Sequence, residues 1–265
     1  MKIWYQSGAS IGFDPMFSEY EATLKSYLSN VARPGTEVSV HGVELCSPNV
    51  DSYMTAGLLQ DHQILENLLR AQREGYDAFC VGCMLDPAFY AIREVTDLPV
   101  CSMSEASMLL ACLLAPNFSL LCHNKALLRR VIELVKRYGL QDRFIECDTF
   151  QISLTDVQRA FKAPQIFLEP AREVAREAAK KGVCMFVNCC GCLNMIMAKH
   201  NIRQIEGIPV LEGGAALIKI TEMLVDLKNM GIHRSRLGLY TAIPKEELAA
   251  LLKLYGVKEG AYLNV

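Results

Sequence analysis

Two cysteines stand at the ends of two apolar, strand-like runs, and they are the strongest chemical signal in the sequence. Cys83 ends the run of residues 77–83, and Cys189 ends the run of residues 183–189. A helical stretch closed by glycine precedes each run, and a Pro-Val pair follows it. The chain has therefore built one unit twice, with a thiol at the same point in both copies. Two equivalent thiols facing a shared cleft suit proton transfer at both faces of one carbon.

Strand-like and amphipathic helical runs alternate along the whole chain, which predicts a mostly parallel α/β sheet flanked by helices. The first half has strands starting at Lys2 and Glu37 and a third ending at Cys83. The second has strands starting at Phe118 and Phe144 and a third ending at Cys189. We predict two similar lobes related by a pseudo-twofold axis, comprising residues 1–101 with 212–265, and residues 102–211. Ligands bind at the carboxyl ends of such strands, so the site is expected between the lobes.

Composition excludes several classes of function. The 265 residues carry a net charge of −2, which gives no basic surface for nucleic acid. No run approaches the roughly 18 apolar residues of a membrane span. The first residues read as a strand rather than a signal peptide, so we expect a cytoplasmic protein. Eleven irregularly spaced cysteines then indicate reduced thiols rather than disulfides.

A rival interpretation uses the same cysteines as metal ligands. Cys80 with Cys83, and Cys189 with Cys192, form two C-x-x-C pairs that could hold zinc or an iron–sulfur cluster. Against it, Cys80 lies inside a strand, where residues three apart point to opposite faces. The sequence also lacks a dinucleotide loop and the context of a cofactor-binding lysine, so we expect no cofactor and no metal. Metal content of the purified protein would separate the two interpretations.

Two longer motifs resemble the aspartate/glutamate/hydantoin racemase superfamily. The segment Gly82-Cys-Met-Leu-Asp-Pro87 resembles the Cys-Phe-x-Asp-Pro motif of hydantoin and allantoin racemases. The later segment Ile208-Pro-Val-Leu-Glu-Gly-Gly-Ala-Ala-Leu-Ile-Lys219 is similar to a second stretch of that branch. Amino-acid racemases of the superfamily instead follow their cysteines with Asn-Thr and Thr-His. The resemblance covers about residues 1–230.

The resemblance implies a cofactor-independent racemase or epimerase whose small-molecule substrate is a 5-substituted hydantoin or an allantoin-like ureide. Cys83 and Cys189 are the expected catalytic pair, and the protein is expected to be a homo-oligomer. A maleate-type cis–trans isomerase and an amino-acid racemase of the same superfamily remain as alternatives. His123 could bind substrate or cap the next helix. The expected substrate-binding positions are the strand ends and the amides after each cysteine: Gln6, Ser7, Met84, Leu85, Cys122, His123, Cys190 and Gly191.

Overall fold

A computed structural model describes residues 1–257 as two sheets with helices around them. The first sheet is parallel, in the order β2-β1-β3-β4, and the second has the order β5-β6-β8-β7 with only β7 antiparallel. Their strands are β1 (Lys2–Ser7), β2 (Glu37–His41), β3 (Ala78–Gly82), β4 (Val100–Ser102), β5 (Ser119–Leu121), β6 (Phe186–Asn188), β7 (Gln204–Ile205) and β8 (Ile208–Leu211).

Helices fill the connections between the parallel strands, as right-handed crossovers in α/β folds require. Helix α2 ends before Gly75 and α7 ends before Gly182, both with positive φ, so the two lobes use the same stop signal at matched positions. The helices are α1 (Ser18–Val31), α2 (Met54–Arg73), α3 (Phe89–Glu94), α4 (Met103–Leu114), α5 (Lys125–Arg137), α6 (Leu154–Ala160), α7 (Gln165–Lys180), α8 (Gly191–Lys199), α9 (Gly213–Asn229) and α10 (Lys245–Leu254).

The predicted repeat is present in the strand order. β1, β3 and β4 of the first sheet correspond to β5, β6 and β8 of the second. The position of β2 is taken in the second sheet by a single parallel bridge between Phe118 and Phe144, so the strand predicted from Phe144 is reduced to one pairing. The two-lobed, mostly parallel α/β fold is confirmed.

One apolar core runs through both lobes. It joins Ile3 and Leu24 of the first half to Phe118 and Phe186 of the second. Strand β1 alternates between cores, since Ile3 and Tyr5 face this shared core while Trp4 faces a second cluster under α2. The continuous core makes the lobes one packed body, which fixes the cleft between them.

Helix α9 returns the chain to the first lobe. It packs against α4, β3 and β4, and Thr221 on it lies 3.0 Å from the sulfur of Cys80. Strand β4 ends at Ser102, one residue beyond position 101, and the lobe boundaries themselves stay a prediction. The last part of the predicted first lobe, residues 258–265, lies outside the described residues.

The loop after β3 is anchored by the buried carboxylate of Asp86. It accepts hydrogen bonds from the amides of Ser104 (3.0 Å) and Glu105 (3.3 Å) at the start of α4, and from the hydroxyls of Ser102 and Tyr138. Asp86 and Ala88 have φ of 46° and 54°, a costly conformation that this anchor holds in place. Burial raises the pKa of the Asp86 carboxyl to about 6 against the effect of these donors.

Residues 232–241 form an arm that packs against the segment between α3 and β4, the edge strand of the first sheet. Arg234 and Arg236 donate to backbone carbonyls at and beyond the end of α3, including Arg93 O at 3.0 and 2.7 Å. The Tyr240 hydroxyl accepts from the Arg93 guanidinium at 2.7 Å, and Arg93 also pairs with Glu105 at 2.7 Å. Cations at a helix carboxyl end satisfy carbonyls that have no partner inside the helix.

The Asp86 anchor predicts a graded loss of stability. Asp86→Ala leaves four donors without their acceptor and should lower the free energy of unfolding by about 4 kcal/mol. Asp86→Asn should lose less because it keeps the shape and one acceptor. Urea unfolding measures both, and equal losses would contradict the anchoring role.

The same carboxyl predicts a pH dependence. Its pKa of about 6 in the folded protein exceeds the unfolded value of roughly 3.9, so the folded state binds the extra proton. The stability that this extra proton contributes is fully present below about pH 4 and is lost as the pH rises through about 6. Asp86→Asn should remove this part of the pH dependence in unfolding titrations.

The arm predicts a third stability effect. Arg234→Gln removes guanidinium hydrogen bonds to the carbonyls of Arg93, Thr96 and Leu98 and should cost about 2 kcal/mol. Arg129→Gln, at an exposed position on α5, is the matched control and should change stability by less than about 0.5 kcal/mol. Thermal unfolding compares them, and equal midpoints would contradict the role of the arm.

Candidate active site

The strand pairings bring the cysteines to matched positions. In the first lobe Ser7 pairs with Gly82, so Gly8 lies beside Cys83. In the second lobe Leu121 pairs with Asn188, and the amide of Cys189 donates to Leu121 O at 3.1 Å. Cys122 therefore lies beside Cys189, just as Gly8 lies beside Cys83. The register alone places both predicted thiols one residue beyond their strands at the carboxyl edges of the sheets.

The two edges approach each other through glycines. A Cβ built on Gly191, at the start of α8, would lie 2.9 Å from the Tyr20 hydroxyl and 3.8 Å from Gly82 O. A Cβ on Gly82 would overlap the Tyr5 ring, at 2.2 Å from Cζ. A larger residue at Gly191 would press against Tyr20 of the first lobe, whereas one at Gly82 would displace Tyr5 of the neighbouring strand β1.

Cys83 is half-buried and protonated at neutral pH. Burial raises the pKa of its thiol to about 12, and the Leu85 amide opposes this only in part. No helix begins beside Cys83 to lower the pKa of its thiol, because turns follow it and α3 starts only at Phe89. Its sulfur would lie 3.2 Å from a Cβ on Gly8, so a larger residue there would have to displace the sulfur. In this environment Cys83 can act as a proton donor.

Two residues that we did not predict line the Cys83 side. Gln60 on α2 donates to Gly8 O at 2.7 Å and contacts the Cys46 sulfur at 3.7 Å. Cys46 is half-buried and interacts electrostatically with both Cys83 and Cys192, so it lies between the two lobes. Its pKa is raised to about 11, mainly by burial.

Cys189 points into the second lobe. It is 1% exposed, and its sulfur donates to Val187 O at 3.4 Å. It also hydrogen-bonds to Cys122, whose pKa is raised well above its usual value by burial and by this contact. Both side chains belong to the shared apolar core.

Cys190 faces a different environment. It is half-buried and occupies the N-cap position of α8, where its sulfur lies near the amide of Leu193. A hydrogen bond from Cys192 lowers the pKa of the Cys190 thiol well below its usual value, and His123 adds to this against the effect of burial. Among the thiols of the cleft, Cys190 is thus the one whose surroundings favour the thiolate form.

His123 joins Cys190 to a carboxylate. Its Nε2 lies 3.4 Å from Asp51 Oδ2, and its ring also interacts electrostatically with Cys190. Although burial lowers its pKa, Asp51 and Cys190 raise it to about 10, so the imidazole is protonated. Asp51 is held in turn by Asn124, which donates at 2.7 Å. The alternative role as a helix cap is wrong for His123, because Asn124 caps α5 by accepting from Leu127 at 2.8 Å.

The remaining predicted positions differ in where they lie. Gln6 is fully buried and occupied with Trp4 and Ser7, each at 3.0 Å, so it does not reach the cleft. Ser7 lies at the cleft floor, where its hydroxyl accepts from Ala9 at 3.1 Å and hydrogen-bonds to Tyr20. Met84 is buried in the core against Ser104. Leu85 lines a cavity of 620 Å³ that opens between α2 and α5, together with Gln60 and Arg130.

The described residues offer no arrangement for a metal. Cys80 is buried against Thr221, on the side of β3 away from Cys83, and the structure leaves all eleven cysteines unpaired. Within residues 1–257, no three His, Cys, Asp or Glu side chains are grouped so as to hold an ion. None of the described helices combines the length and apolarity needed to cross a membrane.

Comparisons with known proteins agree with this geometry. The hydantoin racemase of Pseudomonas sp. (strain NS671) is 29% identical over 227 residues, which cover 86% of this chain and 88% of that protein. The allantoin racemase structure from Pseudomonas fluorescens superposes with a TM-score of 0.75 at 19% identity, covering 92% of this chain and 97% of that one. The allantoin racemase from Klebsiella pneumoniae gives 0.71 at 22% identity, covering 91% and 94%.

The sequence profile of the Asp/Glu/hydantoin racemase family matches residues 18–221, which include both strand ends of the cleft. This match confirms the predicted superfamily and an enzyme of the racemase type. The chain belongs to the Asp/Glu/hydantoin racemase family.

Proposed function

We propose that this protein is a cofactor-independent racemase that inverts a carbon next to a carbonyl, with a 5-substituted hydantoin or an allantoin-like cyclic ureide as substrate. The observation that supports this proposal most directly is the matched pair of strand ends, with Cys83 on one side of the cleft and the Cys189–Cys190 pair on the other. The names of the relatives, hydantoin racemase and allantoin racemase, support this substrate class.

The reaction needs one thiolate and one thiol. The thiolate takes the proton from the substrate carbon, and the C–H electron pair moves onto the neighbouring carbonyl oxygen as an enolate. The thiol on the opposite side then gives its proton to the other face. Cys83 suits the donor role because burial keeps its thiol protonated. The thiolate comes from the β6 side.

The start of α8 suits the developing negative charge. The amides of the first helical turn, from Gly191 onward, have no partner inside the helix and lie at its positive end. Such donors stabilise an enolate oxygen in a site that excludes water. The amide of Leu85 on the other side is directed at Cys83 instead.

A cyclic ureide demands less of these groups than a free amino acid does. Its ring carbonyl stabilises the carbanion, and each 1.4 kcal/mol removed from a barrier is about tenfold in rate. The chain also carries Met84-Leu85 and Cys190-Gly191 where amino-acid racemases have Asn-Thr and Thr-His. A maleate-type isomerase stays a second candidate, since a low-pKa thiolate such as Cys190 can also add to a double bond.

The first functional prediction concerns the substrate. In deuterated water the C5 proton of a substituted hydantoin should exchange while optical rotation decays, because removal and return of one proton is the reaction. Proton NMR against a panel of hydantoins, allantoin, aspartate, glutamate and maleate measures this. Treatment with a chelator is the control and should leave the rate unchanged. Turnover of maleate alone would contradict the proposal.

The second concerns Cys83. Cys83→Ser should slow racemisation by about 10²- to 10⁴-fold, because a serine hydroxyl is a much weaker acid than a thiol and donates its proton to the substrate carbon far less readily. The variant should still exchange the C5 proton of one enantiomer, whose exposed face meets the remaining base. Chiral chromatography with deuterium counting follows both. Cys184→Ser, at an exposed position, is the matched control and should match the native protein.

A further inference from the structure

We infer that the working base on the β6 side is Cys190, paired with His123 and Asp51, and that Cys189 beside it is structural. This inference rests on the proposed function and replaces our sequence-based choice of Cys189. The first observation is that the side chains of Cys189 and Cys190 point in opposite directions. Consecutive residues in extended backbone point to opposite faces, and Cys189 and Cys190 follow β6 directly.

The register divides the neighbours of the two cysteines. Continuing the pairing of Leu121 with Asn188 puts Cys122 beside Cys189 and His123 beside Cys190. The first pair consists of two buried thiols inside the apolar core. The second is a half-exposed thiol against an imidazole, which is a pair that can exchange a proton.

The imidazole is held for this purpose. Asp51 fixes it at 3.4 Å from one side, and Asn124 fixes Asp51 at 2.7 Å. The Nδ1 atom of His123 is buried and has no hydrogen-bond partner among the described residues, so the imidazole keeps one nitrogen uncommitted next to Cys190. A thiol, an imidazole and a carboxylate arranged in this order are the arrangement that generates a reactive thiolate in other enzymes. His123 and Asp51 are positioning residues in this assignment.

Other ionisable groups around Cys190 do not compete for its charge. Cys192 on α8 hydrogen-bonds to it, and the pKa of Cys192 is raised well above its usual value, so it stays a thiol donor. Tyr20 on α1 and Cys122, which directly follows β5, also interact electrostatically with Cys190. Burial raises the pKa of both groups. Among the described residues that face it, His123 is the group that carries a positive charge.

The step balances with these groups alone. The Cys190 thiolate forms an S–H bond as the substrate C–H bond breaks, and the electron pair moves to the carbonyl oxygen. The S–H bond of Cys83 breaks as its proton bonds to the opposite face of the carbon. One proton enters the substrate and one leaves, so the net charge of the site is unchanged.

Alkylation tests the ionisation without any substrate. Brief treatment of the native protein with iodoacetamide at pH 6.5, followed by peptide mapping, should modify Cys190 before Cys83, Cys189 and the exposed Cys184. An ordinary thiol is roughly 1% ionised at that pH. His123→Asn should slow labelling of Cys190 at least tenfold and move its pH profile toward that of an ordinary thiol. Asp51→Asn should act in the same direction.

Activity on one enantiomer of a hydantoin that the native protein racemises tests the catalytic role. Cys190→Ala should lose at least about 100-fold, while Cys189→Ala should stay within about threefold of the native protein. Cys189→Ser is the second variant if the alanine variant does not fold, because its hydroxyl can still donate to Val187 O and accept from Cys122.

The results separate this inference from the proposed function. First labelling at Cys189, an ordinary pH profile for Cys190, or greater loss of activity in Cys189→Ala overturns the assignment while racemisation itself stands. Rapid labelling of Cys190 in a protein that turns over none of the hydantoins overturns the proposed function, and with it the assigned base role, but leaves the thiolate pair established.

Discussion

The parallel pairing of β5 with β6 is the constraint on which the site depends. It fixes Leu121 opposite Asn188, and the two residues that follow each strand take their neighbours from this register. A shift by one residue would exchange the faces, bringing His123 against Cys189 and leaving Cys190 in the core. The same constraint acts in the first lobe, where pairing of Ser7 with Gly82 puts Gly8 beside the Cys83 sulfur. The chemistry of the cleft is thus set by backbone hydrogen bonds before any side chain is considered.

The two lobes use this common frame to build unlike environments. In the first lobe Cys83 is partly covered and its sulfur lies next to Gly8, and the burial of the thiol keeps it neutral. The second lobe brings an imidazolium and a helix start to Cys190, which favour the thiolate. A repeated fold can therefore supply an acid on one side and a base on the other, although both are cysteines.

Much of the fold followed from the sequence because its signals are local. The glycines after α2 and α7 ended both helices as expected, and the apolar run of β3 is buried on both faces. Phe144 was harder, because a single bridge gives the same apolar pattern as a full strand.

The site was less predictable because it depends on contacts between distant segments. The position of Cys83 came from its motif, but its raised pKa depends on how deeply the lobes bury it. Adjacent Cys189 and Cys190 could not be separated without the register and face. Asp51 lies in a loop far from His123 in sequence, and nothing in its neighbourhood signals a charge partner.

The charge distribution of the cleft bears on the kind of substrate it accepts. An amino acid brings an ammonium and a carboxylate, and each must be met by an opposite charge when it leaves water. Here the His123 imidazolium already faces two negative groups, the Asp51 carboxylate and Cys190, so it is not free to meet a substrate carboxylate. Around Cys83 the ionisable neighbours are the Asp86 carboxyl, the Cys46 thiol and the Arg130 guanidinium, and the Gln60 amide donates nearby to Gly8 O. A neutral ring with carbonyl and N–H groups needs only hydrogen bonds, which backbone amides and side-chain amides such as Gln60 can supply. This charge distribution supports the proposed cyclic ureide over a zwitterionic amino acid as substrate.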